Sequence, residues 1–195
     1  MARQIINNGT IAGDGTGETL FTAFDKTNDN FVELYKVAGW ASYAQSIATA
    51  QTITSTDSKL VIDGGGAESN SSYLPLEIRG ISELWDTTNN KITPISIGDG
   101  YTMRIDFEIT GKTGNPNGLD ISLGIGGGAT PSNVITERVV STLKAVPYNI
   151  SVAFPFYTLS DFKTNGGQIF LKTDTGTLTI TARMISIHRI SSGTI

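Results

Sequence analysis

Asp174-Thr175-Gly176 spells the tripeptide with which an aspartic protease presents a loop carboxylate to a symmetry mate, the two sharing one proton. That chemistry needs a two-fold pair, and the preceding Lys172 and Thr173 are not the apolar couple such a loop carries, so a polar turn between strands is expected. Asp106 and Glu108 could serve as glycosidase acid and base, but such pairs face each other across a cleft. Two apart on an alternating strand, they instead share a face with Arg104, which predicts an ion-paired row. Gly13, Gly15 and Gly17 ahead of a helix have the look of a phosphate cradle. No strand precedes them and no Lys-Ser/Thr pair follows, so a hinge is expected. The single histidine, His188, would have to nucleate any metal cluster or Ser-His-Asp triad alone, and is expected at a surface or interface. Among the aromatics, Tyr73 and Trp85 lie near polar turns and are the candidate receptor contacts, as platforms for sugar stacking. No catalytic, cofactor-binding or metal-ligating residue is expected.

Composition narrows the elements that must carry these residues. The 195 residues can build one good core or a compact domain with a short arm. Only 16% are charged, against roughly 25% in ordinary globular proteins, and 22 are glycine, which favours strands joined by many turns. A net charge of −4 implies no basic face, so no nucleic-acid partner is expected. With no cysteine, disulfides, zinc-thiolate sites and thiol nucleophiles are excluded together. No apolar run approaches the roughly 18 residues of a bilayer span, and Met1-Ala2-Arg3-Gln4 has no signal-peptide core. No membrane insertion is expected, and synthesis in a cytosol is.

Residues 1–17 read as an extended anchoring arm and 18–38 as an amphipathic helix, starting near Thr16 or Gly17 and ending before a C-cap at Gly39. Leu20, Phe24, Thr27, Phe31 and Leu34 gather into one stripe, with Asp25, Lys26, Asp29 and Glu33 turned away. A lone helix of this length is marginal in water, so the stripe needs a partner. Residues 40–195 read as a β head. Tyr101–Thr110 alternates apolar and polar at every position, and 119–125, 150–156 and 178–184 repeat the pattern. Near Met184 and Ile185 the inward set slips by one, which predicts a β-bulge. Shorter strands are expected at 46–53, 60–63, 76–81, 91–97, 134–140 and 168–173, with turns at Asp63-Gly64-Gly65-Gly66, Asp99-Gly100 and Asn165-Gly166-Gly167. Eight to ten such strands predict a mainly β, antiparallel two-sheet sandwich with jelly-roll topology.

The N-terminal wording resembles a segment of tailed-bacteriophage tail-fibre and baseplate proteins. The matching residues are Asp14, Gly15, Thr16, Gly17, Ala23, Phe24, Lys26, Asn28, Asn30, Phe31, Glu33, Leu34 and Tyr35, with Ile5-Ile6-Asn7-Asn8-Gly9 as lead-in. Glu18 replaces the usual Asp, and Thr27 stands where an apolar residue usually completes the stripe. The landmarks Leu84-Trp85-Asp86, Ile97-Gly98-Asp99-Gly100-Tyr101 and the terminal Ile185–Ile190 strand resemble phage-fibre heads of the tumour-necrosis-factor and C1q type.

The resemblance implies a virion structural protein without enzymatic activity. Asp14, Gly15, Gly17, Leu20, Phe24, Phe31, Leu34 and Tyr35 would dock it onto other virion proteins and gather three copies, while the head projects, with a host-surface glycan as candidate receptor. A capsid decoration or head-fibre protein is the alternative placement. A depolymerase acting on envelope polysaccharide, or a carbohydrate-binding module, is the competing class.

Overall fold

The structure is a computed structural model that describes residues 5–9, 15–46, 49–125 and 133–193, without the side chains of 32–37. Helix α1 (Leu20–Val37) leads directly into β1 (Gly39–Ala44). There follow β2 (Gln51–Ile53), β3 (Ser58–Lys59), β4 (Trp85–Asp86), β5 (Lys91–Ile92), β6 (Gly100–Thr113), β7 (Gly118–Ile125), β8 (Asn133–Ser141) and β9 (Tyr148–Tyr157). A short helix α2 (Ser160–Asn165) precedes β10 (Gly167–Thr173) and β11 (Thr177–Ser191).

Every strand pairing is antiparallel. One sheet runs β1-β11-β6-β9, with β2 also on β11; the other runs β4-β5-β10-β7-β8, with β3 also on β10. With β2, β3 and β4 set aside, the remaining eight strands in chain order form a 1-8-3-6 sheet and a 2-7-4-5 sheet. This is the twice-wound Greek-key order of a jelly roll, so the expected antiparallel sandwich is the observed one.

The core follows from period-two alternation. Tyr101, Met103, Ile105, Phe107 and Ile109 of β6 and Ile150, Val152, Phe154 and Phe156 of β9 point inward. They meet Leu119, Ile121 and Leu123 of β7 and Ile169 and Leu171 of β10. Tyr101 stacks on Phe156 with ring centres 5.1 Å apart, and Phe162 of α2 closes that end edge-to-face on Phe156, their ring centres 5.5 Å apart.

The slip in β11 is a bulge: the register with β6 shifts between Thr181 and Met184, and Ala182 takes φ 48°. Arg183 is carried inward there, 2% exposed. Its guanidinium donates to Val61 O (2.8 Å), Thr49 O (2.7 Å) and Ile180 O (3.3 Å). An outward-reading arginine thus becomes the tie between the bulge and the 49–63 loop.

Several boundaries differ from expectation. Residues 76–81 and 60–63 form no strand, 46–53 is reduced to β2, and 91–97 to β5. The 75–82 segment instead makes tight turns, with Ile78 N–H on Pro75 O and Ser82 N–H on Ile78 O, so its apolar residues come from a turn rather than a ladder. Helix α1 begins after Thr19, whose hydroxyl accepts Thr22 N–H. Gly39 is not a C-cap: Ala38 ends the helix in an extended conformation. Gly39 is required by close approach, since a Cβ there would lie 2.3 Å from Pro75 N. Helix α2 escapes sequence reading because six residues are too few for a helical period.

Candidate functional site

Helix α1 carries a row of exposed large apolar side chains. Leu20 is 73%, Phe21 77%, Phe24 59% and Phe31 55% exposed. Large apolar side chains on one helix normally face the core of their own chain, and here the core does without them. The helix meets the sandwich at β11, and Leu20, Phe24 and Phe31 of its stripe are not covered by the head.

The opposite face of α1 is occupied by residues 5–9. Glu18 N–H donates to Asn7 O (2.9 Å) and Asn7 Nδ2 to Thr16 O (3.0 Å). Lys26 Nζ reaches back to Ile5 O (3.1 Å) and pairs with Glu18. Lys26 therefore does not simply face water, as amphipathic spacing suggests; it ties the arm to the helix. Gly17 allows this return, because a Cβ there would press on the Asn7–Gly9 backbone at 3.2–3.3 Å. Thr27, the polar interruption of the stripe, is half-buried and spends its hydroxyl on Ala23 O (2.9 Å). Gly15 takes φ 73°, a left-handed turn that lets the chain double back. Asp14 and the side chains of Leu34 and Tyr35 lie outside the described residues.

The second surface is aromatic. Tyr73, 54% exposed, stacks on Trp40 at 5.0 Å, and Trp40 stacks on His188 at 5.7 Å. The spacing follows from the ladder, since Trp40 and His188 are directly opposed in β1 and β11. Sequence reading singled out Tyr73 without its companions, which come together only through strand pairing. His188 titrates below its ordinary range, held down first by partial burial and then by the Arg104 guanidinium. It is an exposed side chain stacked on Trp40, without carboxylate or serine partners among the described contacts.

Trp85 requires a correction. It is 1% exposed and its indole N–H donates to Ile62 O (3.0 Å), so it is not an open platform for a receptor. The polar turns on either side belong to the neighbouring loops, while β4 itself turns the ring inward to the floor of a cavity of about 410 Å³.

A polar cavity of about 300 Å³ opens beside β1, lined by Ser42, Tyr43, Asp63, Asn70 and Glu83 among others. Its acids are already engaged. Tyr43 donates to Glu83 Oε2 (2.7 Å) and accepts Leu84 N–H (3.0 Å); burial, then Glu83, drives its ionisation far upward. Asp63 accepts the Ser46 hydroxyl and the Ser46 and Gly65 amides, which hold it below the usual carboxylate range. The cavity is a joint between loops.

The residues with catalytic connotations are engaged structurally. Asp174 accepts Asn117 N–H (3.0 Å) and Thr175 N–H (2.8 Å), while Gly176 takes φ 60° in the β10–β11 turn. Arg104 Nε pairs with Asp106 Oδ2 at 2.8 Å, as expected, whereas Glu108 accepts the Thr181 hydroxyl (3.3 Å) rather than joining the ion pair. Among the described residues no group of three or more His, Asp or Glu could hold a metal, and no helix is long and apolar enough to cross a membrane.

The strongest electrostatic centre had no sequence signal beyond an Asp-Gly turn. Asp99, fully buried, accepts from Arg189 Nη2, Tyr101 Oη, Ser96 N and Gly193 N at 2.8–2.9 Å. Arg189 also pairs with Glu77. This hub locks the end of β11 to the entry of β6.

No family model matches the chain, and no curated protein matches it in sequence. Among solved structures it is similar to the Eiger TNF of S. frugiperda, with TM-score 0.46 and 9% identity over 82% of this chain and 95% of that one. It is also similar to the PRD1 vertex protein P5, with TM-score 0.43 and 14% identity over 79% of this chain and 96% of that one. A third is a protein of Bacillus endospore appendages, with TM-score 0.36 and 10% identity over 80% of this chain and 91% of that one.

Proposed function

We propose that this chain is a non-enzymatic structural protein of a bacteriophage virion: a trimeric short fibre whose arm and α1 dock on the particle while the jelly-roll head projects. The observation that carries this reading is the exposed row Leu20, Phe21, Phe24 and Phe31 on a helix whose other face is held by the arm. Such a helix is stable when other molecules cover its stripe. The Asp14–Tyr35 wording supports a virion setting. Three copies of α1 with their heads alongside would bury an obligate-sized interface, above ~2,000 Å². Tyr73, standing free at the end of the aromatic stack, is the residue for contact with a host-surface glycan.

Sedimentation of the full chain tests the trimer: a species of three subunits is expected, reverting to one subunit in the Phe24→Ser/Phe31→Ser double variant. A wild-type chain that stays monomeric at micromolar concentration contradicts it. Incubation with host envelope polysaccharide should release no oligosaccharide; release would establish the depolymerase reading instead.

A further inference from the structure

Each sheet of a sandwich ends in strands whose outward N–H and C=O groups can pair with another chain, and natural proteins guard such edges. Three of the four edges here are guarded. β1 is covered by the 70–73 segment, with Trp40 N–H on Tyr73 O and Ser42 and Asn70 exchanging backbone hydrogen bonds. β9 carries Pro155. β4 is two residues long.

β8 differs. It is nine residues long, has no Pro or Lys, and pairs with β7 alone among the described strands. Its one irregularity, between Leu123 and Gly124 of the partner, falls at its start and leaves 137–141 regular. Thr142 N–H points inward to Asn117 O, so alternation turns the N–H and C=O of Glu137, Val139 and Ser141 outward. On the outer face Val139 is 68% exposed, with Leu143 just beyond at 71%.

We propose that β8 is an intermolecular pairing edge whose occupant is the β8 of a second copy, antiparallel about a two-fold axis at Val139. Charge selects the register. Centring on Glu137 or Arg138 sets like charges directly opposite, which is unfavourable. Centring on Val139 overlaps the whole regular stretch and places Glu137 opposite Ser141 and Arg138 opposite Val140. The same register sets Val139 against Val139 and brings Leu143 toward Ile135 of the other copy. An edge contact of this size is small, so it is a weak contact in solution, effective where copies are concentrated on a larger assembly. It is independent of α1.

The absence of cysteine makes trapping clean. Directly opposed residues of an antiparallel pair lie within disulfide reach. In the full-length chain, Val139→Cys should form a disulfide-linked dimer at least about tenfold faster than the equally exposed control Ile190→Cys, because pairing raises the local thiol concentration. Ser141→Cys alone should link slowly, and mixing it with Glu137→Cys chains should restore fast linkage. The Phe24→Ser/Phe31→Ser background should leave trapping unchanged, which separates this contact from docking by α1. Equal rates for Val139→Cys and Ile190→Cys overturn the proposal. Fast self-linkage of Ser141→Cys also overturns it, since the register centred on Val139 sets Ser141 opposite Glu137 and not opposite itself.

Discussion

The head and the N-terminal helix treat the same kind of residue in opposite ways. Phe107 and Phe154 in the sandwich are at most 2% exposed, while Phe21, Phe24 and Phe31 on α1 are more than half exposed. Along β6 and β9, inward and outward positions alternate, and one core gathers the inward side chains of β6, β7, β9, β10 and β11. On α1, the chain's own contribution is a polar one: the arm, Glu18 and Lys26 hold the helix by hydrogen bonds and leave its apolar side open. Apolar burial is therefore what holds the head together, while α1 keeps large apolar side chains in the open. Docking by α1, as proposed above, would then assign stability and assembly to separate parts of one short chain.

Substitutions can break that division. The largest loss is expected inside the head. Phe154→Ala should cost about 3–5 kcal/mol by opening a cavity between the sheets, read as a fall in chemical-denaturation stability. Asp99→Ala should cost a similar ~3–5 kcal/mol, because Arg189 would stay buried with one partner carboxylate removed. Arg189→Met in that background should recover part of the loss; no recovery would mean that the ion pair is not what Asp99 contributes.

Gly39→Ala marks the boundary between the two regions. With the new Cβ forced toward the Pro75 backbone, a loss of about 1–3 kcal/mol in head stability is expected. Phe24→Ser/Phe31→Ser should change head stability by no more than ~0.5 kcal/mol, the range of surface substitutions, while abolishing the oligomer. A large loss of head stability in that variant would erase the contrast.

The smallest effect belongs to pH. Asp63 has its folded pKa lowered, so its contribution is fully present above the ordinary carboxylate range and is lost as pH falls through the folded value. Asp63→Asn should be less stable than the parent at pH 7, and the gap should close on acidification. A gap that stays constant with pH would mean that the Asp63 hydrogen bonds do not depend on its charge.

Much of this architecture is legible in residue order. The alternation of Tyr101 to Ile109 predicts β6 with its inward face, and the slip at Met184 and Ile185 predicts the bulge, because period two leaves each residue one choice of side. The spacing of Leu20, Phe24 and Phe31 predicts an apolar stripe on a helix. Short elements were less legible. The apolar residues of 76–81 look like a strand because five or six residues cannot distinguish a ladder from a run of turns. Trp85 near polar turns looks available, but the two-residue strand that turns it inward has no sequence period.

Local order alone, then, determined the long strands β6, β7, β9 and β11, which of their faces is greasy, and that the helix carries an apolar stripe. Tertiary structure decided the rest: that Arg183 and Arg189 are buried ties, that Tyr73, Trp40 and His188 stack in one row, and that β8 pairs with β7 alone among the described strands. The physical reason is range. Alternation and helical spacing act between residues a few positions apart, whereas each of these features joins residues from distant parts of the chain, and its partners exist only once the sheets have closed.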